Sequence, residues 1–282
     1  YREKGYYEEA LAQFTAVLEM DLRAFGEEHS YVMVDYQSLS RTYLLLNDYE
    51  NARLYARKAL TLGERLRGPD SHENATLMIS LANALELLGR RREAIDLVRR
   101  AVALEEAALG SRHRLVGIHY GTLASLYDEA GELDQAMELQ RRGLQVLQAL
   151  PAPSPSHISA AYAALGRMEE RRGDHRSALA YFEQELAVLR RYLRADHPYV
   201  ADNYRQQAEQ YEALGRPAAA LEKARAAVAL LAPGAPPSGI PTAEQLARVN
   251  LRDAMSLYRA LFTLSRLLQR AEAGLPALGQ AL

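Results

Sequence analysis

The chain has 282 residues, a formal net charge of −2, a hydrophobic fraction of 49% and a charged fraction of 25%. This balance is ordinary for a soluble globular protein, and it lacks the basic excess with which nucleic-acid binders displace counterions. Cysteine is absent, which excludes disulfides and thiolate metal sites, and no run of about 18 uncharged apolar residues predicts a membrane span. We therefore expect a cytoplasmic protein with neither nucleic-acid nor membrane partners.

An internal repeat of 42 residues begins near the start of the chain. An alanine recurs at this spacing, and a glycine or asparagine stands five residues before each alanine. The alanines are Ala10, Ala52, Ala94, Ala136, Ala178 and Ala220, and the residues before them are Gly5, Asn47, Gly89, Gly131, Gly173 and Gly215. A fixed period of this length predicts tandem helical hairpins.

Each repeat reads as helix A, a tight turn at the glycine, helix B and a loop. In the second repeat we expect helix A at 31–45 and helix B at 49–65. A left-handed glycine closes helix A, asparagine is the best tolerated substitute there, and the small alanine lets two helices approach closely. Three further columns, three and four residues apart, share one helical face: Tyr36, Met78, Tyr120, Tyr162 and Tyr204; Leu39, Leu81, Leu123, Leu165 and Gln207; Tyr43, Leu85, Tyr127, Glu169 and Tyr211.

Histidines recur once per repeat in the loops: His29, His72, His113, His157 and His197. Neighbouring hairpins stack about 10 Å apart, whereas zinc ligands lie about 2.0–2.3 Å from one ion. We therefore expect these histidines to pack the loops or cap helix starts, with no metal site. In the loop ADHPYVA (195–201) we expect Asp196 to cap the next helix and Pro198 to occupy its first turn.

The register ends at Leu231. Residues 232–241 are rich in Pro and Gly and predict a linker, and residues 242–282 predict an amphipathic helix, running to about 273, and a tail. Leucine and valine share one face of that helix and arginine the opposite one: Leu246, Val249, Leu257, Leu261, Leu264 and Leu268 against Arg248, Arg252, Arg259, Arg266 and Arg270. We expect this helix to cap the repeats; a connector into a further domain is the alternative.

The Gly-x-aromatic-x-x-Ala turn, the tyrosine column and the long period resemble tetratricopeptide repeats of the kinesin-light-chain type. LGSRHRLVG (109–117) and RADHPYVA (194–201) are similar to the loop of that family. The resemblance implies an all-α, right-handed superhelical solenoid over 1–231, with a partial first repeat, five full repeats and a concave groove lined by the A helices. Arginine supplies all but three of the 34 basic residues, which suggests a bacterial source.

The repeat register places one set of helix-A side chains in this groove, where we expect a peptide, a helix or a partner domain to bind. They are Gln37, Ser38 and Arg41; Ile79, Ser80 and Asn83; Gly121, Thr122 and Ser125; Ala163 and Arg167; Arg205, Gln206 and Glu209. Kinesin-light-chain repeats commonly carry an asparagine pair before the helix-A leucine to clamp an extended peptide. This chain departs from that pattern, with Gln37–Ser38 and Ala163–Ala164 among the pairs in its place.

No phosphate-binding glycine loop, HExxH motif or nucleophile elbow is present, so we expect no catalytic residue, cofactor or small-molecule substrate. Adjacent carboxylates such as Glu105–Glu106 and Glu169–Glu170 point about 100° apart on a helix, and we expect solvated faces there. The doublets Arg99–Arg100, Arg141–Arg142, Arg171–Arg172 and Arg190–Arg191 indicate solvated faces or, alternatively, a patch for phosphate or an acidic partner.

Two functions fit best. One is a non-catalytic interaction scaffold or adaptor. The other is a sensing or regulatory arm of a larger bacterial enzyme, such as a caspase-like peptidase, a Ser/Thr kinase or a signalling ATPase; the start at Tyr1 rather than Met favours it. A peptide-sensing transcription regulator or an RNA-binding repeat protein fits less well, because no helix-turn-helix is evident and the charge is not basic.

Overall fold

The computed structural model describes residues 2–194, 196–232, 234, 242 and 251–279, and over these ranges the chain is α-helical without strands. The helices are α1 (Arg2–Phe25), α2 (Ser30–Leu45), α3 (Tyr49–Arg67), α4 (Ala75–Leu87), α5 (Arg91–Leu109), α6 (Arg114–Glu129), α7 (Leu133–Gln148), α8 (Pro155–Arg172), α9 (His175–Tyr192), α10 (Pro198–Ala213), α11 (Pro217–Leu231) and α12 (Leu251–Gly279). A 3₁₀ turn, His72–Asn74, precedes α4. The even-numbered helices α2 to α10 are A helices, and α1 and the odd-numbered helices α3 to α11 are B helices.

The chain divides into two compact units, residues 1–151 (unit 1) and 152–282 (unit 2). Unit 1 contains α1–α7 and unit 2 contains α8–α12, and within each unit the helices pack as successive antiparallel hairpins. The all-α hairpin solenoid is therefore confirmed, while the predicted domain boundaries at 231 and 241 stay a prediction. None of the helices in the described part of the chain is both long and apolar enough to span a membrane.

The turn residues adopt the backbone conformation that the sequence predicts at five of six positions. Asn47 has φ 60°, and Gly89, Gly131, Gly173 and Gly215 have φ between 68° and 83°. At Gly131 the N–H donates to the carbonyl of Asp128 at 3.1 Å and the next N–H to that of Tyr127 at 2.9 Å, which closes α6. The prediction is wrong for Gly5, which lies inside α1.

The hairpins are held together at the alanine column. Ala52, Ala94, Ala136, Ala178 and Ala220 are fully buried between helix A and helix B of their own repeats. The tyrosine and leucine columns pack beside them, with Leu39, Leu81 and Leu165 fully buried and Tyr36 and Tyr43 half-buried. A side chain larger than alanine would have to displace the opposing helix.

Three of the five loop histidines cap helix starts, while His72 and His157 lie inside the 3₁₀ turn and α8. The Nδ1 atoms of His29, His113 and His197 accept hydrogen bonds from the backbone N–H two residues later, at 3.2, 3.3 and 3.2 Å. The predicted cap at Asp196 is wrong: Asp196 pairs with Arg194 at 3.1 Å, and the imidazole of His197 occupies the capping position with Pro198 directly after it.

The adjacent carboxylates are not all solvated, which corrects the prediction for two of them. Glu105 is 1% exposed and its Oε2 lies 2.6 Å from Nδ1 of His119, in the next A helix. Glu169 is also buried.

The second carboxylate of each pair is half-buried and also contacts a neighbouring helix. Glu106 accepts a hydrogen bond from the Tyr120 hydroxyl of α6, and Glu170 accepts one from the Gln210 amide of α10 at 2.8 Å.

Helix α12 packs against both helices of the last hairpin, α10 and α11, through Leu257, Leu264 and Leu267. Arg266 and Arg270, both on the predicted arginine face, pair with Glu212 of α10. Leu246, Arg248 and Val249, the side chain of Arg252 and most of the predicted linker lie outside the described residues.

Replacing Ala136 with Phe should lower the free energy of unfolding by about 1–3 kcal/mol, because the ring has no room between α6 and α7. Urea unfolding followed by circular dichroism measures the change. Gln135→Phe, at the exposed neighbouring position of the same helix, should stay within about 0.5 kcal/mol of wild type. Equal losses in both variants would contradict close packing at the alanine column.

Candidate functional site

The predicted groove residues lie on the A helices of both units, and their surroundings differ along the chain. Gln37, Ser38 and Arg41 are on α2, and Ile79, Ser80 and Asn83 are on α4; Gly121, Thr122 and Ser125 are on α6; Ala163 and Arg167 are on α8, and Arg205, Gln206 and Glu209 are on α10. The first three of these helices belong to unit 1 and the other two to unit 2.

In unit 1, five of these residues line one cleft of about 700 Å³, called here the unit 1 cleft. Its walls come from three helices. Tyr7 and Phe14 of α1 form the apolar side, and the predicted residues of α2 and α4 form the polar side: Gln37, Ser38, Arg41, Ser80 and Asn83. The α1 side of the cleft was not anticipated from the sequence.

The polar groups of the unit 1 cleft fall into two classes. The hydroxyls of Ser38 and Ser80 donate to carbonyls of their own helices, Val34 and Thr76, each at 2.9 Å. Gln37, Arg41 and Asn83 make no hydrogen bond or ion pair with any other described residue, and Arg41 and Asn83 are exposed. The cleft therefore presents an amide, a guanidinium and a second amide that can bond to an added chain.

The remaining predicted residues of unit 1 are not brought into this cleft. Ile79, Gly121 and Thr122 are half-buried and Ser125 is exposed on α6. A Cβ on Gly121 would come within 3.6 Å of the Gln140 side chain, an ordinary van der Waals distance. These α6 residues are small, and Thr122 and Ser125 each carry a hydroxyl.

On α10 the predicted groups are already engaged. Arg205 pairs with Asp202 and with Glu209, both at 2.9 Å, and the Gln206 amide donates to Asp202 at 3.3 Å. Their charges are largely neutralised within the helix, so this surface has fewer free donors than α2 and α4.

Ala163 and Arg167 line a second cleft of about 610 Å³, called here the unit 2 cleft. It lies between α8, α9 and the start of α10, with Val188 and Leu189 on its apolar wall and Tyr192 and Tyr199 at its rim. These four residues and Glu185 were not predicted from the sequence. Tyr199 lies at the start of the A helix α10 but outside the predicted set, and the others lie on the B helix α9.

Glu185 stands at the floor of the unit 2 cleft and is 9% exposed. Asn203 donates to its Oε2 at 2.9 Å, and burial raises the pKa of the carboxyl to about 7. The repeat register contained a signal for this residue, because the same position in the neighbouring repeats is alanine or glycine: Ala59, Ala101, Gly143 and Ala227.

At least three of the eight arginines in the doublets pair with nearby carboxylates, and Arg190 and Arg191 lie over tyrosine rings. Arg99 pairs with Asp96 at 2.6 Å, Arg100 with Glu64 at 3.2 Å and Arg142 with Glu138 at 2.9 Å. A dedicated phosphate patch is not supported by these contacts. Within the described ranges, no group of three or more His, Cys, Asp or Glu side chains could hold a metal ion.

The family model "Tetratricopeptide repeat" matches residues 1–65, 75–149 and 157–232. Protein KINESIN LIGHT CHAIN-RELATED 1 of Arabidopsis thaliana is 24% identical over 188 residues, covering 66% of this chain and 30% of the relative. The human Clustered mitochondria protein homolog is 20% identical over 221 residues, covering 78% and 17%.

Among solved structures, BtubC (BKLC) from P. vanneervenii superposes with a TM-score of 0.69 at 17% identity, covering 79% of this chain and 90% of that one. This likeness shows the fold. The chain spans less than a third of the length of the curated relatives it matches.

Replacing Glu185 with Gln should stabilise the protein at pH 8 and have little effect at pH 5. The pKa of the Glu185 carboxyl is about 7 in the folded protein, against an ordinary value of 4.5. The folded protein therefore loses stability as the pH rises from 4.5 to 7, because its buried carboxyl ionises less readily than that of the unfolded chain. Above pH 7 this loss is about 3 kcal/mol at most. Urea unfolding at both pH values measures it. The control Glu183→Gln changes an exposed residue of the same helix and should alter the free energy of unfolding little at either pH. If Glu185→Gln stabilised the protein no more at pH 8 than at pH 5, the carboxyl of Glu185 would not be buried as described.

Proposed function

Because the chain belongs to the tetratricopeptide repeat family, we propose that it is a non-catalytic scaffold that binds a polypeptide segment of a partner protein along its A helices. Stacked helical hairpins offer an extended surface for recognition rather than a single enclosed chamber. The family places the chain among protein-interaction scaffolds; the location of the bound segment is our proposal.

The observation that carries the proposal is the unit 1 cleft. Gln37, Arg41 and Asn83 converge there with their polar ends unpaired by any described residue, opposite Tyr7 and Phe14. An extended peptide carries backbone donors and acceptors that match two amides and a guanidinium, and its side chains would pack on the aromatic wall. Few interior hydrogen bonds need to be broken for this ligand to enter.

Arg41 gives the unit 1 cleft a preference for peptides with an acidic side chain. It is the one charged side chain among the lining residues, and its guanidinium is exposed and unpaired by any described residue. An arginine fork matches a carboxylate in a two-hydrogen-bond geometry. We therefore expect segments with an Asp or Glu facing Arg41 to bind more tightly there than neutral ones.

The role of a regulatory arm in a larger bacterial enzyme is compatible with this proposal, since the bound segment could then belong to another domain of the same protein. The curated relatives are more than three times as long as the matched region. The proposal itself concerns only the surface of this chain and assigns no catalytic group to it.

Peptides selected from a random displayed library on the wild-type chain should bind an Arg41→Ala/Asn83→Ala variant about tenfold more weakly, or worse. Each lost hydrogen bond is worth about 1 kcal/mol, and more where a charge is involved. Fluorescence anisotropy with the selected peptides measures the loss.

The matched control is Arg57→Ala, which removes an exposed arginine from the B helix α3, away from the cleft. Peptides that bind the double variant as well as wild type, or that are lost on Arg57→Ala, would show that the unit 1 cleft is not the binding surface.

A further inference from the structure

The unit 2 cleft contains a side chain that the repeat does not require. Glu185 replaces the alanine or glycine that the other full repeats have at this position, between helix A and helix B. In the preceding repeat the space is absent altogether, because a Cβ on Gly143 would stand 2.7 Å from the carbonyl oxygen of Gly117. The fifth repeat thus has a carboxyl at a position where the other full repeats pack tightly, and this carboxyl lines a cleft.

The carboxyl of Glu185 is only half satisfied by the protein. Asn203 donates to Oε2 at 2.9 Å while its amide also donates to the carbonyl of Phe182 at 2.8 Å. None of the described residues donates a hydrogen bond to Oε1. A buried carboxylate without a full set of donors or a counter-ion is unfavourable, and a cationic partner would remove that deficit.

The charged groups that face Glu185 come from both helices packed against α9. Arg167 of α8 favours the ionised carboxyl and Asp202 of α10 disfavours it. No ion pair joins Arg167 to Glu185 or to any other described carboxylate, and Asp202 is engaged by Arg205 at 2.9 Å. Glu185 is therefore the one acidic group at the floor of the cleft that is not already paired with a cation in the described chain.

The rest of the cleft suits an aliphatic stem with a cationic end. Val188, Leu189 and Ala163 provide apolar wall. Tyr192 and Tyr199 stand at the rim, 51% and 65% exposed, and tyrosine rings attract cations placed over their faces. Arg191 already lies over the Tyr192 ring, with its guanidinium carbon 5.4 Å from the ring centre.

We propose that the unit 2 cleft binds a basic side chain, arginine or lysine, of a partner polypeptide, with its cationic end paired to Oε1 of Glu185. The stem packs on Val188 and Leu189, and the two tyrosines flank the entry. This inference rests on the proposed function only in taking the basic side chain to be part of a bound polypeptide. The unit 2 cleft then selects for charge opposite to that preferred by the unit 1 cleft.

Titration with N-acetylarginine amide, followed by ¹H–¹⁵N NMR shifts, tests the proposal directly. N-acetylcitrulline amide has nearly the same shape without the charge, and it should bind at least tenfold more weakly. Glu185→Gln should abolish the difference between the two probes, whereas Glu183→Gln, on the exposed side of α9, should preserve it. The NMR spectra of the variants also report whether each remains folded.

Two further measurements give the sign of the charge interaction. Binding of the arginine probe should weaken about tenfold from pH 8 to pH 6, since only the ionised carboxyl pairs with it and its pKa lies near 7, and Glu185→Gln should show no such dependence. Arg167→Gln should strengthen binding, because it removes a cation that faces the same carboxyl.

Three results would overturn the proposal: no binding of the arginine probe up to its solubility limit, equal binding by Glu185→Gln, or preferential binding of N-acetylaspartate amide, which would make Arg167 the determinant. If the arginine probe behaves as expected while library peptides ignore the Arg41→Ala/Asn83→Ala change, the proposed function fails and the basic-side-chain site stands. If the library peptides respond to the Arg41→Ala/Asn83→Ala change while the arginine probe does not bind as expected, the proposal for the unit 1 cleft stands and the proposal for the unit 2 cleft fails.

Discussion

The close approach of helix A to helix B within each hairpin is the constraint on which the other features depend. It requires a residue without a bulky side chain at Ala52, Ala94, Ala136, Ala178 and Ala220, all of them fully buried. Once two helices are fixed at this distance, the tyrosine and leucine columns have one way to pack, and one stripe of each A helix is left on the surface. The residues of the unit 1 cleft are therefore positioned by alanines that never touch a ligand.

Features set by local rules could be predicted from the sequence, and features set by contacts between repeats could not. The turn at Gly131 and the alanine beyond it follow from backbone conformation and side-chain size, which a 42-residue spacing reveals. Glu105 was expected in solvent, yet it is buried because His119, in the following helix, supplies a partner 2.6 Å away. The cap at His197 was assigned to Asp196 because both can accept a backbone hydrogen bond, and only the path of the loop decides between them.

The candidate site also has one part that could be predicted from the sequence and one part that could not. Gln37, Ser38, Arg41, Ser80 and Asn83 were placed together by register alone, since residues at equivalent positions of stacked helices lie side by side. The unit 2 cleft depends instead on an exception to the register, Glu185, and on rim residues from the end of one helix and the beginning of another. The residues that recur in every repeat thus determine the fold, and the residues that differ between repeats determine what is specific to each cleft.

The packing order of the helices also bears on how the chain is made. Within each unit, helices contact those adjacent in the chain or one further along, and even α12 joins the hairpin formed by α10 and α11. Among the described helices, none has to wait for a distant segment, so the loop-closure entropy of each step is small. Each hairpin can form as soon as its second helix leaves the ribosome, and newly made hairpins then add to a surface that is already folded.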